Sequence, residues 1–385
     1  MVDRRSSCST NSSDDDPESG LALLAITLAL AACEGMLRLF GADVLPRPDL
    51  YVTDPDVGKR MRPGWEGNEF KAPVKINSKG LRNPETPYEK PEGVYRILAL
   101  GDSWTFGFRM DEPDAYPRQL ERILNERAAT RRDPRRFEVI NAGVIGYSTD
   151  QEAAWLRVEG WKYQPDLVLV NYYPVNDTHN KLASYQKRAA IRAVQPWLLE
   201  LYEAPKHLYL RQFWKGVRRT LKQRFRVARA GGDPKAGARD WTDAYQEGSR
   251  GWEAVRTALT EIGVQARSHH VPVLAILLPD AQDLERYSAS YHPKIAPMVA
   301  GAVGEAGLDF LDLEPTFAPW TSKEDEVRFG KLRHPNAKGY GIIAAAAADE
   351  IGLRYLGWET PPKALVEMSG IEPPTSALRT QRSPS

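Results

Sequence analysis

The sequence predicts a doubly wound α/β domain: a three-layer α/β/α sandwich on a five-stranded parallel sheet, preceded by an apolar helix and interrupted by a basic helical insert. Two observations carry this reading. Five short apolar runs alternate with stretches whose apolar residues recur at helical spacing, a rhythm that places parallel strands beneath crossover helices. Polar or glycine-containing segments follow three of these runs, at Gly101, at Gly143 and after Tyr173, where an open parallel sheet presents its carboxyl ends.

Taken in order, the chain begins with a leader, residues 1–19, that holds Arg4, Arg5, a serine-rich patch and Asp14-Asp15-Asp16. Such a composition buries no core and predicts disorder. Residues 20–41 follow as an anchor or signal segment. Leu21 to Cys33 is free of charge, and Glu34 and Arg38 stand at i,i+4 spacing beyond it. A clean span needs about 18 to 20 apolar residues, so the segment crosses a membrane only if Met36 to Phe40 extend it. An uncleaved signal-anchor is the first reading. A buried helix of a soluble domain, or a lipoprotein cleavage box in Leu30 to Cys33 that would leave Cys33 as the lipid attachment point, are the alternatives. The membrane readings both put the domain outside the cytoplasmic membrane. Residues 42–94, rich in Pro and Gly, read as a linker and N-terminal extension with one or two short strands.

The main domain covers residues 95–356. Its strands are expected in "YRILAL", "FEVINAG", "PDLVLVNYY", "VPVLAILLP" and "LDFLDLEP", with helices in "AYPRQLERILNERAA", "DQEAAWLRVEGW" and the closing "NAKGYGIIAAAAADEIGLRYL". Between the third and fourth strands lies the insert, residues 181–230, with thirteen bases against two acids and hence a net charge of +11. Aromatic residues interleave with the bases, so an amphipathic helical segment is expected. It reads either as a solvated cap or as a surface for anionic lipid or acidic polysaccharide. Residues 357–385, rich in Pro, Ser and Thr, are expected to be disordered.

Composition excludes some classes. With 385 residues, 42% hydrophobic and 27% charged, the chain builds one sizeable domain with extensions. Lys and Arg number 52 against 51 acids, so overall charge gives no case for nucleic acid. Cys8 and Cys33 are too few for a disulfide-stapled core or a cysteine metal site. No G-x-S-x-G elbow, phosphate-binding loop, H-E-x-x-H or dinucleotide fingerprint occurs. No metal or cofactor is expected.

Chemistry concentrates in four segments: "GDS" at Gly101 to Ser103, "NAGVIGYST" after the second strand, "NYYPVNDTHN" after the third, and "HPNAKGY" before the last helix. A serine hydroxyl needs a base within hydrogen-bond reach to become a nucleophile. Of the six histidines, His334 alone sits in a loop entering a helix at the carboxyl edge of the sheet, where it can face Ser103. An acyl-transfer site also needs oxyanion donors. Ser103 offers its backbone N–H, Gly146 another, and Asn176 a side-chain amide.

This set resembles the SGNH/GDSL hydrolase superfamily, whose name records the serine, glycine, asparagine and histidine of its four blocks. Here these are Ser103, Gly146, Asn176 and His334, and the resemblance spans about Tyr95 to Leu356. "KINSKGLRN" together with the anchor resembles the membrane-tethered bacterial branch. The resemblance implies a flavodoxin-like five-stranded sandwich and a serine esterase in which His334 serves as base and then acid. It implies substrates that are acyl esters, O-acetyl esters of a small molecule or glycan among them. A non-catalytic binding protein and an O-acyltransferase acting on a glycan are the alternatives. Two positions depart from the family pattern. Pro174 stands where block three has glycine, and Lys331 stands where an aspartate three residues before the histidine normally orients the ring. Asp102, Asp177 and Asp325 are the acids placed to orient or support, Asp325 and its neighbour Glu326 only if their loop folds back.

Overall fold

The computed structural model describes residues 17–40, 48–69, 72–179, 182, 208–229, 241–281, 283–328 and 334–359. The expected leader up to residue 16, most of the basic insert, His207, Lys331 and the tail from residue 360 lie outside the described residues.

Five strands form the central sheet: β5 (Val94–Leu100), β6 (Arg136–Asn141), β7 (Leu167–Tyr172), β8 (Val273–Leu277) and β9 (Asp309–Asp312). Their order is β6-β5-β7-β8-β9 and every pairing is parallel. The order reverses beside β5, which places the end of that strand at the crevice where open α/β sheets bind ligands. Side chains alternate between two cores. Ile97, Ala99, Val139, Leu169 and Ile276 pack beneath α3 (Tyr116–Arg131) and α9 (Ala337–Tyr355). Leu98, Leu100, Ile140, Val170 and Ala275 pack beneath α4 (Thr149–Val158), α7 (Arg250–His269) and α8 (His292–Glu305). Both faces are therefore covered, as uninterrupted apolar strands require.

The N-terminal extension contains more structure than its sequence suggests. Four short strands make two antiparallel hairpins, β1 (Tyr51–Asp54) with β2 (Gly58–Met61) and β3 (Glu66–Glu69) with β4 (Ala72–Lys75). They are held to the domain by burial of Leu50, Val57, Met61, Trp65 and Val74 against the α4 face of the core. Hydrogen bonds from Lys59 Nζ to Ile145 O (2.7 Å) and from Gln151 Nε2 to Val57 O (2.7 Å) fasten the first hairpin to the loop after β6 and to the first turn of α4. The described part of the extension, from Pro48, packs on the main domain.

In front of it, α1 (Pro17–Phe40) contains one stretch long and apolar enough to cross a membrane, Leu21–Phe40, with a hydropathy of 1.8 and none of it buried. The helix continues through Cys33 to Phe40 without interruption. Of the insert, α6 (Tyr209–Arg229) is described as a single helix. At the other end the domain runs past residue 356: Trp358 is buried against Phe137 and its indole N–H donates to Asp133 Oδ2 at 2.9 Å.

Candidate active site

β5 is followed by Gly101, whose φ is 153°. A side chain at this position would collide with Thr105, since a Cβ would come within 2.0 Å of its Oγ1. Only glycine lets the chain turn this closely into α2 (Ser103–Phe106). Asp102 caps that turn by accepting from Trp104 N at 2.8 Å, and Ser103 follows as its first residue. The apolar strand, the glycine and the cap thus deliver a serine side chain to the carboxyl rim while Ser103 itself is only 8% exposed.

His334 arrives from the opposite end of the domain. Pro335 bridges to Arg328, and Asn336 caps α9 by accepting from Gly339 N at 3.0 Å while donating to Glu326 O at 2.9 Å. These contacts pin the residue just ahead of α9, and its Nε2 lies 2.8 Å from Ser103 Oγ. For Nε2 to accept the serine proton, the ring proton must sit on Nδ1. The ring packs on Phe108, centroids 4.5 Å apart, with Trp104 at 6.5 Å. Burial first, and the nearby Arg109 guanidinium second, push its pKa down to about 4. The imidazole is neutral at pH 7 and ready to accept a proton.

Among the described residues, the hydrogen bond to Ser103 is the one the ring makes. None of the nominated acids reaches it. Asp102 caps α2 and accepts from Asn176 Nδ2. Asp177 accepts from Tyr173 N at 2.5 Å and closes the one-turn helix α5 (Pro174–Asp177). Asp325 is turned to solvent and pairs with Arg328 at 2.7 Å, while Glu326 pairs with Lys338 at 2.8 Å. Arg328 and Lys338 hold both carboxylates in solvent-exposed ion pairs. Asp102 and Asp177 thus hydrogen-bond within α2 and α5 beside Ser103, whereas Asp325 faces solvent.

The three residues expected to serve as oxyanion donors lie at the start of α2, in the loop after β6 and in α5. Gly146 has φ +74° and open space where a side chain would stand, so a substrate can approach its backbone. Asn176 Nδ2 donates to Tyr147 O at 3.1 Å as well as to Asp102. Both N–H groups of this amide are thereby engaged, and an oxyanion would take one from its present acceptor. Pro174 occupies the first position of α5, where its missing N–H costs no helical hydrogen bond. The proline that departs from the family pattern is thus compatible with the turn that carries Asn176.

The other described histidines lie elsewhere. His269 stacks on Trp161 at 4.0 Å, His270 terminates α7 in a left-handed conformation, and His179 Nδ1 lies 2.8 Å from Asn176 O. His292 starts α8 and pairs with Asp312 at 2.6 Å.

Sequence reasoning missed Arg82. Its side chain is fully buried and donates to Phe106 O (2.9 Å), Gly107 O (2.7 Å), Pro73 O (3.1 Å) and Met110 O (2.5 Å). Burial pulls its pKa down to about 10, so it stays charged at neutral pH. This guanidinium gathers the loop that lays Phe108 and Arg109 against His334. Nothing in "GLRN" distinguishes such a buried arginine from a surface one.

The comparisons with known proteins come to the same region of the chain. A family model described as "GDSL-like Lipase/Acylhydrolase family" matches residues 99–342. No curated protein matches the chain. Among solved structures, the acetylxylan esterase Axe2 from Geobacillus stearothermophilus is 14% identical with a TM-score of 0.40, over 67% of this chain and 94% of that one. An α/β hydrolase, LAE5, from the metagenome of Lake Arreo is 14% identical with a TM-score of 0.39, over 68% and 96%. A putative lipolytic protein of the G-D-S-L family from Desulfitobacterium hafniense DCB-2 is 14% identical with a TM-score of 0.35, over 66% and 98%. With the family match running from inside β5 into α9, the chain belongs to the GDSL-like lipase/acylhydrolase family.

Proposed function

We propose that this protein is a membrane-tethered serine ester hydrolase that works with a Ser103–His334 pair. The observation that carries the reading is the 2.8 Å contact between Ser103 Oγ and His334 Nε2 at the switch point of the sheet. Oγ attacks the ester carbonyl as its proton passes to Nε2. The oxyanion is received by the backbone N–H groups of Ser103 and Gly146 and the Asn176 amide. Collapse expels the alcohol, which takes the proton from Nε2 and leaves an acyl group on Ser103. Water, deprotonated by the same nitrogen, then attacks the acyl carbon, the Oγ–C bond breaks as Nε2 returns that proton to Oγ, and the carboxylic acid departs.

A serine only 8% exposed and overlooked by Phe108 suits a short acyl group, such as acetyl on a sugar or small molecule. The α1 helix supplies the tether, with the domain on the outer side of the cytoplasmic membrane; a lipid on Cys33 is the other mode of attachment. A binding protein that has kept the fold is the second reading. It is favoured by the lack of any carboxylate on the His334 ring among the described residues.

The two separate in one experiment. The full chain in detergent is treated with a fluorophosphonate probe and with p-nitrophenyl acetate, alongside Ser103→Ala. Labelling mapped to Ser103 and turnover lost in the variant support the hydrolase. Equal rates for the two proteins with no label at Ser103 rule for the binding protein. Hydrolysis is distinguished from O-acyl transfer by adding a glycan acceptor and following where the acyl group goes.

A further inference from the structure

The chemistry at Ser103 makes no use of α6. Its sequence has eight Lys and Arg and no acid. At 100° per residue, Leu210, Phe213, Trp214, Val217, Leu221 and Phe225 fall in a sector about 120° wide, which of the bases only Arg224 enters, and Arg211, Lys215, Arg218, Arg219 and Lys222 fall in a separate one about 100° wide. A surface helix of a globular protein lays its apolar stripe on a core. Here Phe213 is 41% exposed, Trp214 59%, Leu221 48% and Phe225 70%.

The helix is attached where a membrane would be. Tyr209 N and Leu210 N donate to the Glu34 carboxylate of α1 at 3.1 and 2.9 Å. Glu34 also pairs with Arg38, whose guanidinium lies over the Tyr209 ring. The span Leu21–Phe40 holds 20 residues, about 30 Å of helix, which matches the hydrocarbon thickness of a bilayer. Glu34 precedes Phe40 by about 9 Å of helix at 1.5 Å per residue. An interfacial helix buries its apolar face to a depth of about 5 to 10 Å, so α6 begins at the depth such a helix occupies.

The geometry points to α6 as an interfacial helix that lies on anionic lipid beside α1, its aromatic face in the headgroup region and its bases on the phosphates. An acidic polysaccharide would satisfy the bases and leave the four exposed apolar side chains in water; a bilayer satisfies both. The inference rests on the reading of α1 as a membrane span and is independent of the chemistry at Ser103.

The test uses the full chain in lipid discs, made either of phosphatidylcholine or of phosphatidylcholine mixed with phosphatidylglycerol. Co-migration with phosphatidylcholine discs tests α1; a chain that fails to co-migrate overturns the span and the inference with it. Trypsin then reports on α6, whose bases are its cleavage sites. Cleavage within α6 should be at least about tenfold slower in the anionic discs, recover in high salt as screening shortens the reach of the charges, and be unchanged elsewhere in the domain. A combined Phe213→Asp, Trp214→Asp, Phe225→Asp variant should lose the protection while still co-migrating. Equal cleavage in both lipids overturns the inference. So does protection by a soluble acidic polysaccharide that the triple variant retains.

Discussion

Two histidines stand at the carboxyl rim of one sheet and are tuned in opposite directions. His292 pairs with Asp312, the last residue of β9, at 2.6 Å. Burial pulls its pKa down, but the hydrogen bond and charge of Asp312, with Glu314 behind them, outweigh burial and raise it. His334 has aromatic rings and an arginine about it, and its pKa falls to about 4. The imidazole that has a carboxylate is not the one at the serine. If His334 is the base, an imidazole neutral at pH 7 is ready to take a proton, but with no carboxylate on the ring among the described residues the imidazolium it becomes is poorly stabilised, and in serine proteases the loss of this support costs about 10⁴ in rate.

The largest expected effect breaks the pair apart. His334→Ala should lower kcat/KM for p-nitrophenyl acetate by about 10³-fold or more, whereas His292→Ala should change it by less than about threefold. Similar losses in both variants would mean that the base has been assigned to the wrong ring.

Next comes the loop that shapes the environment of His334 alone. Arg82→Lys offers at most three donors to four carbonyls, and each buried carbonyl left without a partner costs about 1 to 3 kcal/mol. A melting temperature lowered by several degrees should accompany an altered titration of His334 in NMR spectra, with the His292 signal unmoved. If both signals shift together, Arg82 acts through the whole fold rather than through the Phe108–Arg109 loop.

Protonation offers a sharper contrast. The kcat/KM profile should hold its acid limb near pH 4, the depressed pKa of His334, instead of near the ordinary 6.5. Stability should move in opposite senses. Because the folded chain resists protonation of His334, that contribution is intact above pH 6.5 and is lost as pH falls toward about 4. His292 binds its proton more tightly when folded, so its contribution is full below pH 6.5 and fades as pH rises through its elevated pKa. His292→Asn should therefore cost more melting temperature at pH 5 than at pH 8, and His334→Gln less. Parallel slopes for the two variants would refute the contrast.

The smallest effect concerns Arg109. Its charge is the second cause of the His334 depression, so Arg109→Gln should raise the acid limb by a few tenths of a pH unit. A downward move would show that another group sets the field at the ring.

The five central strands were legible because each holds a short apolar run that alternates with helical spacing, fully buried in β7 and β8, and the positions of Ser103 and His334 were legible because each adjoins an element at the same rim. The hairpins of the extension were legible only in part, as one or two short strands. Strands such as "GKRM" and "EGNE" have four residues each and no apolar alternation, and they exist because Met61 at the end of one and Leu50 and Trp65 beside them find a core. Arg82 and the His292–Asp312 pair were hidden for a related reason: only the packed fold brings a base from the extension onto the carbonyls of a distant loop, or a residue of α8 onto the end of β9. Lys331, the sequence's clearest warning about the site, lies outside the described residues.

The short stretch between α1 and the extension sets a working radius. Phe40 ends the helix and Pro48 begins the described extension, and a fully stretched backbone between them covers no more than about 28 Å at roughly 3.5 Å per residue. If α1 roots the chain in a membrane as proposed, esters fixed to the surface beneath it stay within reach, and those adrift must come to the tether.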